Sequence, residues 1–222
     1  MNVASFLIGI VLPYIAVALF LVSIGIRINR WATSPHPLKW SLYPMPADYT
    51  GQIKFMLKEI LSFRALLHNN RKLWAGSWLF HIGMALIILW FITFVLGLHA
   101  GIVLRAGLAF LIVFPLYLFF VRLASTKMRT ISSPLEYFNL LIFIAIGILG
   151  ILLLSFNKPD PTAVRQYFIS LILLHPAAPP ESSIFLSMLA ITEFFMIYFP
   201  NSRMLHMISK YFTYHKISWE SH

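Results

Sequence analysis

The sequence contains no cysteine. That absence excludes disulfides, thiolate metal sites, cysteine-ligated iron–sulfur clusters and cysteine nucleophiles within the chain. Any redox centre it carries must use other ligands. Charge is scarce as well. Only 11% of the 222 residues are charged, with 7 acidic residues against 17 Lys and Arg, whereas about a quarter of a soluble domain is charged. Internal repeats and low-complexity tracts are also missing. The chain is instead rich in apolar residues, at 59%, and its mean hydropathy is +0.81. This composition marks an integral membrane protein. The first apolar run, Val3 to Ile26, is long enough to span and has neither a basic leader region nor a small-residue cleavage motif. It is expected to stay as a membrane anchor rather than be removed.

Crossing roughly 30 Å of hydrocarbon as helix takes about 17 to 25 apolar residues. Five segments qualify, about 3–26, 78–98, 105–121, 137–156 and 183–200. The expected fold is an all-α integral membrane bundle of five transmembrane helices, forming one domain over 1–222. The connections alternate in charge. Arg27, Arg30, Lys39, Lys54, Lys58, Arg64, Arg71, Lys72, Arg122, Lys127, Arg129, Arg203, Lys210 and Lys216 fall on one side, and only Arg105, Lys158 and Arg165 on the other. By the positive-inside rule the amino terminus is expected outside, the carboxyl terminus inside, and the chain multi-pass in the cell membrane. Because the basic residues follow membrane sidedness, the formal charge of +10 gives no support to a nucleic-acid role.

Within the long inner connection, "SPHPLKWSLYPMPADYTG" reads as extended or irregular. From about 51 to 68, Ile53, Met56, Leu57, Ile60, Leu61 and Leu67 recur at three- and four-residue spacing, with Lys54, Lys58 and Arg64 mainly elsewhere around the helix. This amphipathic segment suits the inner leaflet, a docking surface for a cytoplasmic partner, or both. On the opposite side, Tyr167 to Leu174 is too short to span and is expected to form a lid or a shallow interfacial segment.

Ionisable residues in membrane spans are costly and default to functional hypotheses. The candidates are His81 and His99 at the ends of the second span, Glu193 within the fifth, and His206 just beyond it. The expected topology puts His81 and His206 at one membrane depth on different helices. Zinc wants three or four protein ligands, and no Cys, Asp or Glu accompanies this pair. A haem needs only two axial ligands from protein, and helical bundles build cofactor sites from facing side chains. The alternative is that each histidine is a core or interfacial residue hydrogen-bonded to a neighbour.

The wording around these residues carries a family resemblance. "LFHIG" (Leu79 to Gly83) and "FPNSRMLHMIS" (Phe199 to Ser209) resemble segments of the membrane cytochrome b subunit of respiratory nitrate reductase, its gamma subunit. The corresponding histidines there ligate the haem nearest the cytoplasm, so the resemblance implies His81 and His206 as axial ligands of a haem b. In that subunit a second haem uses a histidine ten residues after the first and another eighteen before the last. Here those positions are Phe91 and Met188. The longer inner connection is more similar to the cytochromes b of heterodisulfide-reductase-type complexes, particularly the sulfite-reductase-associated Dsr (Hme) complex. That likeness implies an electron-transfer subunit of a quinol-oxidising complex. Its substrate would be menaquinol, and it would pass electrons to a cytoplasmic iron–sulfur subunit and work with other subunits of the complex.

A second haem is an open expectation. Eighteen residues are five helical turns, so His99 falls on the face of its helix that carries His81, about 27 Å along, and Met188 bears the same relation to His206. Candidate outer ligands are His99 with Met188, or His99 with His175; equally, Met188 is packing and His99 a hydrated helix end. Glu193 is a candidate proton relay for quinol oxidation, or else a neutral carboxyl bonded to a neighbouring helix. Two other classes compete with the redox reading. One is a transporter or channel lined by these residues, the other a non-redox membrane anchor.

Overall fold

A computed structural model describes residues 2–35, 46, 48–98 and 101–218. Among these, every regular element is helical. The helices are α1 (Val3–Thr33), α2 (Tyr49–Ser62), α3 (Arg64–Asn69), α4 (Arg71–Val95), α5 (Gly101–Ala124), α6 (Thr126–Ile131), α7 (Pro134–Phe156), α8 (Pro161–Ile172), α9 (Ser183–Tyr198) and α10 (His206–Thr213). Five of them, α1, α4, α5, α7 and α9 with its short extension to Asn201, are long and apolar enough to cross a membrane. They coincide with the five spans read from hydropathy. Helix starts follow local chemistry. Asn2, Asp48, Asn70, Ser125 and Asp160 each accept a backbone N–H of the turn they cap, and Pro134 and Pro161 open α7 and α8.

The contacts gather into two compact units. The first comprises Met1–Tyr14 and Asn70–Glu193. Its spans pack where glycine removes the side chain. A Cβ on Gly83 would lie 2.6 Å from the Cβ of Phe110 on α5, and one on Gly150 would lie 2.5 Å from Leu108. Small residues let helix backbones approach in lipid, where apolar burial alone does not drive association. Pro115 lies buried inside α5; membrane helices tolerate such breaks when neighbours cover the freed backbone. Arg122 closes the α5 to α7 connection, donating to Glu136 at 2.6 Å and to Ser132 at 2.9 Å.

The segment expected as a lid or a shallow interfacial segment forms the end of a packed helix. Val164 and Tyr167 of α8 join Phe94, Leu153, Phe185 and Leu189 in one core, while Ile172, Leu173 and Leu174 lie exposed. Tyr167 is 1% exposed and its hydroxyl donates to the Gly9 carbonyl at 2.7 Å. Gly9 sits in a π-helical turn, Leu7–Val11, of α1. Such turns release backbone carbonyls from the regular ladder, and Tyr167 captures this one. Tyr14 adds a second tie, to the Leu171 carbonyl at 3.1 Å.

The second unit comprises Ile15–Asn69 and Phe194–His222. The amphipathic segment forms two helices, broken at Phe63, whose φ of 50° is left-handed. Its apolar residues divide between two faces. Met56 is buried and Phe55 and Ile60 are half-buried, whereas Ile53, Leu57 and Leu61 are 42%, 50% and 67% exposed, beside exposed Lys54 and Lys58. The chain after α9 is tied to both α1 and α2. Phe20 stacks on Phe199 and Arg27 donates to the Asn201 carbonyl at 3.2 Å. Trp31 meets Phe212, Phe55 meets Tyr214 edge-on, and Lys216 donates to the carbonyls of Ala32 and Ser34. A lysine on the last carbonyls of a helix also complements its dipole.

Candidate functional site

Each sequence-derived residue is placed within its own unit. His81 lies on α4, half-buried, one turn after Ser77, with Phe80 edge-on to its ring at 5.2 Å. Its Nδ1 is 2.7 Å from the Ser77 carbonyl. A carbonyl can only accept, so Nδ1 carries the proton and the lone pair resides on Nε2. This is how metal-binding imidazoles are held, since the hydrogen bond sets tautomer and ring orientation and raises ligand basicity.

His206 is the first residue of α10, after the turns Phe199–Asn201 and Arg203–Leu205 that end the fifth span. The Ser202 hydroxyl accepts the N–H of Met204 and donates to the Phe199 carbonyl at 2.8 Å, holding the turn that presents the histidine. The His206 ring reaches the surface. Desolvation by the protein around it nevertheless lowers its pKa below the ordinary histidine value; the Lys210 charge acts in the same sense and backbone hydrogen bonds at Arg203 and Met204 oppose it. Neutral imidazole is the form that binds a metal. The donor set fits a haem in kind: two imidazoles, one with its tautomer fixed for Nε2 ligation. No group of three or more His, Cys, Asp or Glu able to hold a metal occurs among the described residues.

Glu193, the last residue of the first unit, is 2% exposed, and neither carboxyl oxygen has a hydrogen-bond partner among the described residues. The expected alternative, a carboxyl bonded to a neighbouring helix, therefore has no such bond to support it there. Tyr167 is close enough for the Glu193 charge to raise its pKa; burial is the larger cause, Tyr14 a lesser one, and together they hold the phenol well above its ordinary range. Tyr167 thus remains a neutral donor engaged with Gly9.

Of the residues named for a second haem, His99 lies outside the described residues. Met188 is half-buried and packs against the core around Tyr167 and Phe185. His175 is exposed after α8, its N–H bonded to the Ser170 carbonyl. Phe91 packs edge-on against Phe168 at 5.1 Å.

One pair escaped the sequence reading. Glu59 of α2 is 6% exposed and accepts from Lys210 of α10 at 2.9 Å. A signal was available: Glu59 is three residues from Met56, on the arc of the helix that is buried, where a lone acidic residue needs a partner.

No protein-family model matches the chain. Curated relatives do. A protein of Archaeoglobus fulgidus described as an Hdr-like menaquinol oxidoreductase cytochrome b-like subunit is 28% identical over 258 aligned positions, covering 92% of this chain and 77% of its own. The protein of that description from Archaeoglobus profundus is 23% identical, covering 91% and 76%. These relatives agree with the likeness of the long inner connection to cytochromes b of heterodisulfide-reductase-type complexes. The chain is a multi-pass helical membrane protein with five membrane-spanning helices, similar over nine-tenths of its length to cytochrome b-like subunits of Hdr-like menaquinol oxidoreductases.

Proposed function

We propose that this chain is the haem b-carrying membrane subunit of a respiratory complex that oxidises menaquinol. Electrons leave it for a cytoplasmic iron–sulfur subunit of heterodisulfide-reductase type. The single observation that carries the reading is His81, its Nδ1–H committed to the Ser77 carbonyl so that Nε2 is the ligating atom. The similarity to the two menaquinol oxidoreductase subunits supports the substrate class. In this reading the amino terminus is outside and the basic connections are inside. The exposed stripe Ile53, Leu57 and Leu61, edged by Lys54 and Lys58, then suits the inner membrane surface.

His81 and His206 are the axial ligands. A haem held by two imidazoles supplies one-electron transfer between quinol and an iron–sulfur acceptor. Menaquinol oxidation releases two electrons and two protons, so the protein must also receive protons. Glu193, buried and without a hydrogen-bond partner among the described residues, is proposed to accept one from a quinol hydroxyl and relay it onward.

Haem quantification on the purified subunit, with an optical spectrum at controlled potential, tests the central claim. The expected result is a low-spin b-type spectrum that His81→Ala and His206→Ala each abolish. A colourless protein would favour a transporter or plain anchor, and an unchanged spectrum in either variant would sink the assignment of that histidine as a ligand. A count of one haem per chain is expected from His81 and His206; a count of two would bring in His99, Met188 and His175.

A further inference from the structure

α10 starts at His206, and Lys210 follows four residues later, on the same face of the helix. Lys210 Nζ donates to Glu59 Oε2 at 2.9 Å, joining positions 151 residues apart. The pair is asymmetric, with the Glu59 side chain 7% exposed and that of Lys210 29%. A carboxylate buried to this degree is tolerated only with a cation and hydrogen bonds to it. Glu59 therefore fixes the Lys210 ammonium, and through it α2 is anchored to α10. Edge-on Phe55 and Tyr214 reinforce the same junction.

We infer that Glu59 and Lys210 are a positioning pair for His206, which locks α10 behind the ligand and offsets part of the Lys210 charge that acts on it. This inference rests on the haem reading above. Its logic is electrostatic. Positive charge near the iron favours the reduced state, and negative charge the oxidised one. With the pair intact the Glu59 carboxylate offsets the Lys210 ammonium in part. Glu59→Gln leaves Lys210 unbalanced, and the midpoint potential rises. Lys210→Met leaves Glu59 unbalanced, and the potential falls. The double variant returns toward the wild type. For any one-electron couple, a unit charge about 10 Å away at an effective dielectric of about 20 changes the oxidised-to-reduced ratio at fixed poise about tenfold, about 59 mV, and shifts up to that order are expected.

The test is potentiometric titration of the haem absorbance in the purified complex, with amide hydrogen exchange over residues 49–62 measured in parallel. Opposite shifts in the single variants, cancelled in the double, support the charge role, and faster exchange of α2 in either single variant supports the anchoring role. Unchanged potentials, or shifts of one sign in both, overturn the charge role while leaving the haem standing. Unchanged exchange overturns the anchoring role. A wild-type protein without haem overturns the earlier reading itself, and the exchange arm still decides the anchoring. Should Glu59→Gln fail to accumulate, the swapped pair Glu59→Lys with Lys210→Glu is expected to restore folding, and its failure to do so counts against the contact.

Discussion

Glu193 offers a separation of stability from function. The residue is 2% exposed and neither carboxyl oxygen has a hydrogen-bond partner among the described residues, and a buried polar group left unsatisfied costs about 1–3 kcal/mol. Methionine has nearly the same length and no such cost. Glu193→Met is therefore expected to stabilise the chain by about 1–3 kcal/mol. At about 2–4 °C per kcal/mol for a chain of this size, the melting temperature rises by roughly 2–12 °C. Glu193→Gln keeps a buried polar group and should gain less than half as much. The assay is thermal unfolding in one detergent, followed for all three proteins in parallel with menaquinol-analogue turnover. Both variants are expected to lose most turnover. A Glu193→Met protein that melts at or below the wild type would refute the argument, because it would mean the carboxyl is satisfied in the folded protein. A Glu193→Gln protein with full turnover and an unaltered pH profile would remove the residue from the proton path while leaving the stability argument intact.

Two further expectations concern packing. Tyr167→Phe leaves the carbonyl of buried Gly9, in a π-helical turn, without its hydroxyl donor; a loss of about 1–3 kcal/mol should appear as a lower melting temperature and faster amide exchange over residues 7–14. Gly83→Ala sets a Cβ 2.6 Å from the Cβ of Phe110, an atom no rotamer change can move aside. Overpacking of this kind costs about 1–3 kcal/mol, so its melting temperature should fall, and an unchanged value would mean that α4 and α5 separate freely.

Much of the fold was legible because hydrophobic span length is a local property. The five spans followed from uninterrupted apolar runs, whereas the caps Asn2, Asp48, Asn70 and Asp160 went unread. The segment 161–172 was less legible. Its apolar residues from Tyr167 onward are too few to span, and nothing local distinguishes a lid from a helix whose Tyr167 enters a core. The amphipathic segment was read as one apolar face because three- and four-residue spacing is met by two adjacent arcs. Only tertiary packing divides buried Met56 from exposed Ile53, Leu57 and Leu61.

The candidate site divides in the same way. His81 and His206 stand out in sequence because imidazoles at the ends of apolar spans are rare and the words around them carry a resemblance. The tautomer of His81 does not, since it depends on where the Ser77 carbonyl points. By itself the sequence determined that this is a five-span helical membrane protein without cysteine, and it pointed to His81 and His206 as candidate cofactor ligands. The tertiary structure alone decided that Glu193 is buried without a hydrogen-bond partner among the described residues, that Tyr167 holds Gly9, and that Glu59 meets Lys210 across 151 residues. Those facts are set by which helices touch, and periodicity along the chain states which face of a helix is apolar without stating what that face will meet.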